Sequence, residues 1–239
     1  MTYALTDLSQ PDSPLLHTRD VRGVHTLTLN APASFNVLGE AMLAALQHAL
    51  DAVRDDPGAR MAVLAASGKA FCAGHNLKEM KASPELGYYQ KLFAQCTRVM
   101  LSIQNLPVPV IARVQGLATA AGCQLVAQAD LAVAVETARF GVNGIDAGLF
   151  CATPSVPLVN RVVPADALDA EVARLVEAVL SKPREALALG KQLFYKQREM
   201  GIEAAYQLAG QTMACNMVHP VAQEGVQAFI EKRKPQWPV

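Results

Sequence analysis

Polar and apolar residues alternate over 24–30, the period-two pattern of a strand with one face in a core. Over 39–53 the spacing changes: Met42, Leu43, Leu46, Leu50 and Val53 recur three or four apart, as on one face of a helix. Asp56-Pro57-Gly58 stops that helix, and the small apolar run 61–66 reads as a short buried strand. Ser67-Gly68-Lys69 turns into a loop over 70–77 that is rich in small residues. A second long helix, about 85–104, carries Leu92, Phe93, Cys96, Val99, Met100 and Ile103 on one stripe. Pro107-Val108-Pro109 leads into a strand over 110–114. The turn Gln115-Gly116, a helix over 119–128 and a strand over 131–135 follow. Strands alternating with helices predict an α/β domain with parallel pairing. Beyond Pro164 only helical patterns remain, at about 166–180, 184–200, 202–217 and 221–232. The pattern divides the chain into an N-terminal extension (1–20), a β/α core (21–163) and a helical C-terminal region (164–239).

A chain of 239 residues builds one sizeable core or two small ones. Lys plus Arg and Asp plus Glu both number 21, so no net field draws the protein to nucleic acid or an anionic membrane. No apolar run reaches the length of a membrane span. The first twenty residues carry Asp7, Asp12 and Asp20 against Arg19 alone, which matches neither a secretory signal nor an Arg-rich transit peptide. Cys72, Cys96, Cys123, Cys151 and Cys215 are odd in number and widely spaced. They read as reduced thiols packed as small apolar side chains, in a cytoplasmic protein without a metal site.

Two loops carry the candidate chemistry. Gly116 precedes a predicted helix whose first residues, Thr119, Ala120, Ala121 and Gly122, are small enough to let a ligand approach the backbone. The first turn of a helix has unpaired N–H groups and the positive end of the macrodipole, which can polarise a carbonyl or hold an anion. The loop Ala73-Gly74-His75 is a second place where bare backbone can face a ligand. Small residues at both loops also suit tight strand–helix packing with no ligand at all. A third reading, a nicotinamide-dependent oxidoreductase, rests on strand, Gly116 turn, helix, strand and then Glu136. Ala118 and Ala121 occupy two of the three glycine positions that such a dinucleotide site uses.

Taken together the two loops resemble the paired signatures of the crotonase (enoyl-CoA hydratase/isomerase) superfamily. Residues 69–80, KAFCAGHNLKEM, look like its first motif, and 109–125, from Pro109 through Gly116 and Gly122 to Leu125, like its second. Asn36-Val37-Leu38 is similar to an Asn-Ala-Leu segment of the family, and Lys232-Arg233-Lys234-Pro235-Gln236-Trp237 to its C-terminal ending. Gly148-Leu149-Phe150-Cys151 resembles the branch of enoyl-CoA hydratase domain-containing proteins. The resemblance implies a crotonase fold, with a ββα spiral core and a C-terminal helical trimerisation region. It implies a homotrimer or dimer of trimers that binds an acyl-CoA thioester, coenzyme A being part of the substrate and no separate cofactor being used. The backbone N–H groups of His75 and Ala121 would form an oxyanion hole for an enolate-like thioester oxygen, where one donor is typically worth roughly 2.7–4 kcal/mol. Asn36, Val37, Leu38, Ala73, Gly74, Asn76, Leu77 and Gly122 would line the substrate, and Lys78 would approach the CoA phosphates.

The chain departs from that family in three places. Hydratases of the family use two glutamates, and the corresponding positions are Gln124 and Gly144. Glutamine can orient water but cannot deprotonate it near neutral pH. Asp146 could supply a carboxylate, or be a turn aspartate facing water. A protein that retains the CoA pocket without turnover is therefore the alternative to an enzyme. Phe35 stands where many members have Arg or Lys, which removes one phosphate contact. Thr153-Pro154 is a helix start, yet Pro157 and the strand-like residues 159–163 follow at once. The family carries a helical stretch of roughly two dozen residues there, beyond the usual uncertainty of element boundaries. Either that stretch is lost, or residues are missing at the Leu158–Val159 join. The expectation is a join that is not a peptide bond in the purified protein, and an intact mass above 25.5 kDa.

Overall fold

A computed structural model describes residues 3–141 and 161–237. The chain forms two compact units, Met1–Val176 and Glu177–Val239, so the break falls inside a helix rather than at residue 164. In the first unit β1 (Leu5–Asp7), β2 (Leu15–Asp20) and β3 (Val24–Leu29) pair antiparallel. They are followed by α1 (Glu40–Asp55), β4 (Met61–Ala66), β5 (Ala70–Cys72), α2 (Leu77–Ala82) and α3 (Leu86–Asn105). Next come β6 (Val110–Val114), β7 (Leu117–Thr119), α4 (Ala121–Gln128), β8 (Leu131–Val135), β9 (Phe140–Gly141), β10 (Arg161–Val163) and α5 (Leu168–Leu180). A seven-stranded sheet has the order β1-β2-β3-β4-β6-β8-β10, parallel from β3 onward. A second, parallel sheet has the order β5-β7-β9. The architecture is the α/β crotonase fold.

Burial explains which sequence patterns were easy to read. All six residues of β4 are buried, hence its continuous apolar run. α1 buries Met42, Leu43, Leu46, Leu50 and Val53, and α3 buries Leu92, Cys96, Val99, Met100 and Ile103, the predicted stripes except that Phe93 stays 45% exposed. Three expectations change. Residues 1–20 are no appendage: β1 and β2 complete one edge of the large sheet. The loop expected over 70–77 contains β5 and runs into α2. Thr119 ends strand β7, so the helix expected from 119 starts at Ala121. The small sheet was missed because its strands are two or three residues long, too short for period two to register.

The second unit contains α6 (Arg184–Gln197), α7 (Ile202–Met217) and α8 (Pro220–Ile230). Trp237 folds back, its indole N–H donating to the Ser181 carbonyl at 3.1 Å while its ring lies over Gly225. A cleft of about 370 Å³ opens there, lined by Pro183, Ala186, Val221 and Trp237 among others.

At the edge of the large sheet, buried His17 and His25 are joined Nε2 to Nδ1 at 2.9 Å. His25 Nε2 meets Asp56 Oδ2 at 2.9 Å, and Arg19 Nε meets the same oxygen at 2.6 Å. Asp56 ionised fixes the proton order: His25 donates to Asp56, and His17 donates to His25, with both rings neutral. Among the described residues no three His, Cys, Asp or Glu side chains converge as a metal site requires, and no helix is long and apolar enough to cross a membrane.

Candidate active site

Gly74 brings the two loops together. Its φ is +87°, a conformation that side chains disfavour. A Cβ built there would lie 2.9 Å from Ala120 Cβ, 3.2 Å from the Thr119 carbonyl oxygen and 3.3 Å from the Ala121 nitrogen. The absent side chain therefore lets the Ala73-Gly74-His75 segment lie directly against the start of α4. Leu38 pairs with His75 in an isolated parallel bridge, made by Leu38 N–H to the Gly74 carbonyl (2.7 Å) and Asn76 N–H to the Leu38 carbonyl (3.3 Å). In such a bridge the N–H of the central residue points away from its partner strand. The His75 N–H thus faces away from Leu38, and the Ala121 N–H is the first of α4, beyond reach of intrahelical bonding. Among the described residues neither group donates a hydrogen bond.

Ala120, the N-cap of α4, has φ 48° and ψ −122°, a region favouring glycine. Its N–H donates to the Gly141 carbonyl at 2.9 Å, which holds the turn in place. Such a residue stores roughly 1–3 kcal/mol of strain. Ala120→Gly should raise stability by roughly 1 kcal/mol after the added backbone entropy of glycine, read as a higher urea midpoint at unchanged slope. An unchanged or lower midpoint would show that the backbone here is unstrained.

The remaining predicted residues divide between the site and its supports. Asn36 is fully buried with φ 54°. Its side chain donates to the Ser67 and Ala70 carbonyls, both at 2.9 Å, and accepts from Ala31 N–H at 2.8 Å. It ties the 31–36 turn to the end of β4 and to β5. Leu38 is likewise buried, and Val37 is half-buried beside it. Gly122 faces β5: a Cβ there would lie 2.2 Å from the Cys72 carbonyl oxygen, so the glycine serves packing. Gly116 does the same against the Lys69 carbonyl, at 2.1 Å. Packing thus explains these two glycines, whereas Gly74 lies against the start of α4. β7 also separates Gly116 from α4, which removes the strand–turn–helix unit that the dinucleotide reading required.

Asn76 caps α2, accepting from Lys78 N–H at 3.2 Å and Glu79 N–H at 3.5 Å. Its amide donates to Glu79 Oε1 at 2.8 Å, and Glu79 Oε2 accepts the Glu40 N–H at the start of α1 at 3.1 Å. Sequence reasoning passed over Glu79, though an Asn followed three residues later by Glu is a capping-box pattern. Leu77 and Lys78 are exposed on α2. Phe35 is 43% exposed, and Lys69 Nζ lies 5.3 Å from its ring centroid, so this corner keeps a cation. Gln124 sits half-buried one turn into α4. Gly144, Asp146, Cys151 and the Leu158–Val159 join lie outside the described residues.

Burial keeps the thiols here protonated near neutral pH. Burial pushes Cys72 up to about 12 and Cys96 up to about 11, and raises Cys123 as well. Burial lowers the His75 imidazole, opposed by the hydrogen bond of its Nδ1 to the Leu38 carbonyl at 3.3 Å. Its ring meets Phe93 edge-on at 5.2 Å between centroids.

The sequence profile described as enoyl-CoA hydratase/isomerase matches residues 19–157 and 153–238. The chain belongs to the enoyl-CoA hydratase/isomerase family. Within this crotonase superfamily it falls in the branch of enoyl-CoA hydratase domain-containing protein 3. The mitochondrial protein of that name from Xenopus laevis is 37% identical over 254 residues, covering 94% of this chain and 86% of that one. A crystal structure of an enoyl-CoA hydratase from Mycobacterium smegmatis is 55% identical, with a TM-score of 0.92, 95% coverage of this chain and 99% of that chain. The human domain-containing protein 3 is 36% identical, with a TM-score of 0.90 and coverage of 94% and 100%.

Two features of these matches bear on the expectations. The Xenopus alignment is longer than this chain, so about thirty of its 254 positions have no counterpart here. The two matched stretches of the family profile also overlap at 153–157, just before the Leu158–Val159 join. The cytoplasmic expectation is corrected: relatives from Xenopus laevis, mouse and human are all named mitochondrial. Scattered thiols and balanced charge suit any reducing compartment, and cellular addresses are read from segments that the folded domain does not need.

Proposed function

We propose that this family member binds an acyl- or enoyl-CoA thioester and stabilises its enolate at the N–H groups of His75 and Ala121. The observation that carries this reading is Gly74, whose missing side chain sets the His75 segment against the first turn of α4. The His75 and Ala121 N–H groups, which donate no hydrogen bond among the described residues, would then converge beside a helix N-terminus, an arrangement that stabilises a developing oxyanion. Val37, Ala73, Leu77 and Lys78 would lie along the ligand, with Lys78 or Lys69 near its phosphates. No separate cofactor enters, since coenzyme A is part of the substrate. The working assembly would be a homotrimer or a dimer of trimers, a trimer being common in this family. Titration calorimetry with short acyl-CoA esters tests the reading. Saturable heat is expected, and none at millimolar ligand would defeat it.

Gln124 favours a second reading, a protein that binds CoA esters without turnover. Crotonyl-CoA should be hydrated slowly, because Gln124 offers no carboxylate to activate water. Gln124→Glu together with Gly144→Glu should raise the rate by more than either single change, read as loss of crotonyl-CoA absorbance. Hydration by the unmodified protein at ordinary enzyme rates would place the base elsewhere.

A further inference from the structure

Five titratable side chains lie on the two loops that meet at Gly74, over residues 70–79 and 116–124: Cys72, His75, Lys78, Glu79 and Cys123. The two thiols are buried and held protonated. Glu79 is committed to Asn76 and to the Glu40 N–H. Lys78 is exposed on α2. His75 differs from all of these. Its Nδ1 lies 3.3 Å from a backbone carbonyl, which can only accept, so Nδ1 carries the proton and Nε2 keeps its lone pair. Phe93 packs edge-on against the ring and helps fix its plane. Desolvation keeps the imidazole neutral near neutral pH, as a base must be before it acts.

We propose that His75 is the acid–base group of this site, its Nε2 exchanging a proton with the α-carbon of the bound thioester while its own backbone N–H holds the thioester oxygen. The inference rests on the CoA-ester reading above. In the forward step the α C–H bond breaks and the proton passes to Nε2. The electron pair moves into the thioester, where the enolate oxygen is held by the His75 and Ala121 N–H groups. The Leu38 carbonyl continues to accept from Nδ1–H and so stabilises the imidazolium that forms. In the reverse step the proton returns to the α-carbon and the thioester is regenerated, with no co-reactant consumed. One residue thereby supplies a donor and a base, which offsets the absence of a carboxylate at Gln124. Gln124, one turn into α4, is left to orient substrate or water.

The test uses butyryl-CoA, which has α-protons and no double bond to hydrate, incubated with the protein in deuterium oxide. Mass spectrometry counts deuterium gained at the α-carbon, and calorimetry measures binding of the same ester. The unmodified protein should bind and exchange. His75→Asn keeps the backbone N–H and places an amide donor where Nδ1–H meets Leu38, but lacks the basic nitrogen. It should bind butyryl-CoA as before and lose exchange by roughly 10²–10⁴-fold. His75→Gln removes the same base with different packing, and it serves if the Asn variant does not fold. Exchange at the unmodified rate in a folded variant overturns the assignment to His75. Binding without exchange in the unmodified protein overturns it in favour of the silent pocket and leaves the CoA-ester reading standing. Absence of binding overturns both.

Discussion

Gly122→Val should lower the stability of the first unit by more than the about 1–3 kcal/mol of ordinary overpacking. A Cβ at this position would lie 2.2 Å from the Cys72 carbonyl oxygen, and 2.7 Å from both its carbon and Cys72 Cβ. Most of these atoms are backbone in the buried strand β5, so no flexible side chain can swing aside. Either α4 lifts off the small sheet, or β5 shifts and drags the Ala73-Gly74-His75 segment with it. The second route also spoils the contact of the Gly74 segment with the start of α4. At about 2–4 °C per kcal/mol for a chain of this length, a fall in midpoint of about 10 °C or more is expected by calorimetry. Gly190 in α6 provides the contrast, since a Cβ there meets nothing within 4 Å. Gly190→Ala should be neutral or stabilising by up to about 1 kcal/mol. Equal midpoints for Gly122→Val and the unmodified protein would mean that α4 does not pack on β5 as described.

Acid should destabilise the fold through the buried His17–His25–Asp56 chain. Burial lowers His17 from its ordinary 6.5 to about 4, with repulsion from His25 and then His48 acting the same way. Burial also lowers His25, although Asp56 opposes that shift. Each folded-state value lies below its unfolded value, so the unfolded chain binds more protons as the pH falls. The stabilisation is therefore complete above about pH 6.5 and is lost between there and about pH 4. For His17 the loss amounts to roughly 3 kcal/mol, from about 1.4 kcal/mol for each pH unit across the window. Asp56 adds to the fall at lower pH. Its burial penalty is outweighed by hydrogen bonds from His25, Gly58 and Arg19, so its carboxyl sits below the usual range. Urea unfolding at pH 7.5 and 4.5 measures the effect as a drop in ΔG of unfolding. His17→Gln keeps a donor to His25 Nδ1 without a titrating ring, and its stability should depend less steeply on pH over the same interval. A flat profile in the unmodified protein would contradict the neutral, buried pairing.

Most of the large sheet and its covering helices could be read from the amino-acid order. β4 and β8 are continuous apolar runs, and β6 is one broken only by Arg113, because both of their faces are covered, and α1 and α3 carry helical stripes because one face of each is buried. Leu15, His17 and Asp20 are buried in β2, yet two charged residues and a histidine in six positions mask its alternation. The polar pairings that make such burial tolerable involve residues far apart in the chain, such as His25 and Asp56.

From spacing alone the candidate site was legible as two stretches of small residues, with packing and ligand binding as equal explanations, and only their resemblance to the family's paired signatures pointed to particular residues. Sequence order predicted a helix from 119, two residues before α4 begins, and the short strand β7 took Thr119 from it. Tertiary structure decided which glycine does what: Gly116 and Gly122 meet the backbone of Lys69 and Cys72, and Gly74 meets the start of α4. It also showed that the Asn36 and Asn76 side chains make hydrogen bonds within the protein. The imidazole of His75 gained its significance in the same way. Its tautomer depends on a carbonyl 37 residues away, at Leu38, and its packing on Phe93 in α3. A pattern of residue types encodes which faces are buried, because burial repeats with the period of the element. It does not encode which distant backbone atom a side chain or a bare Cα will meet, because that is set by how strands and helices pack once the elements have formed.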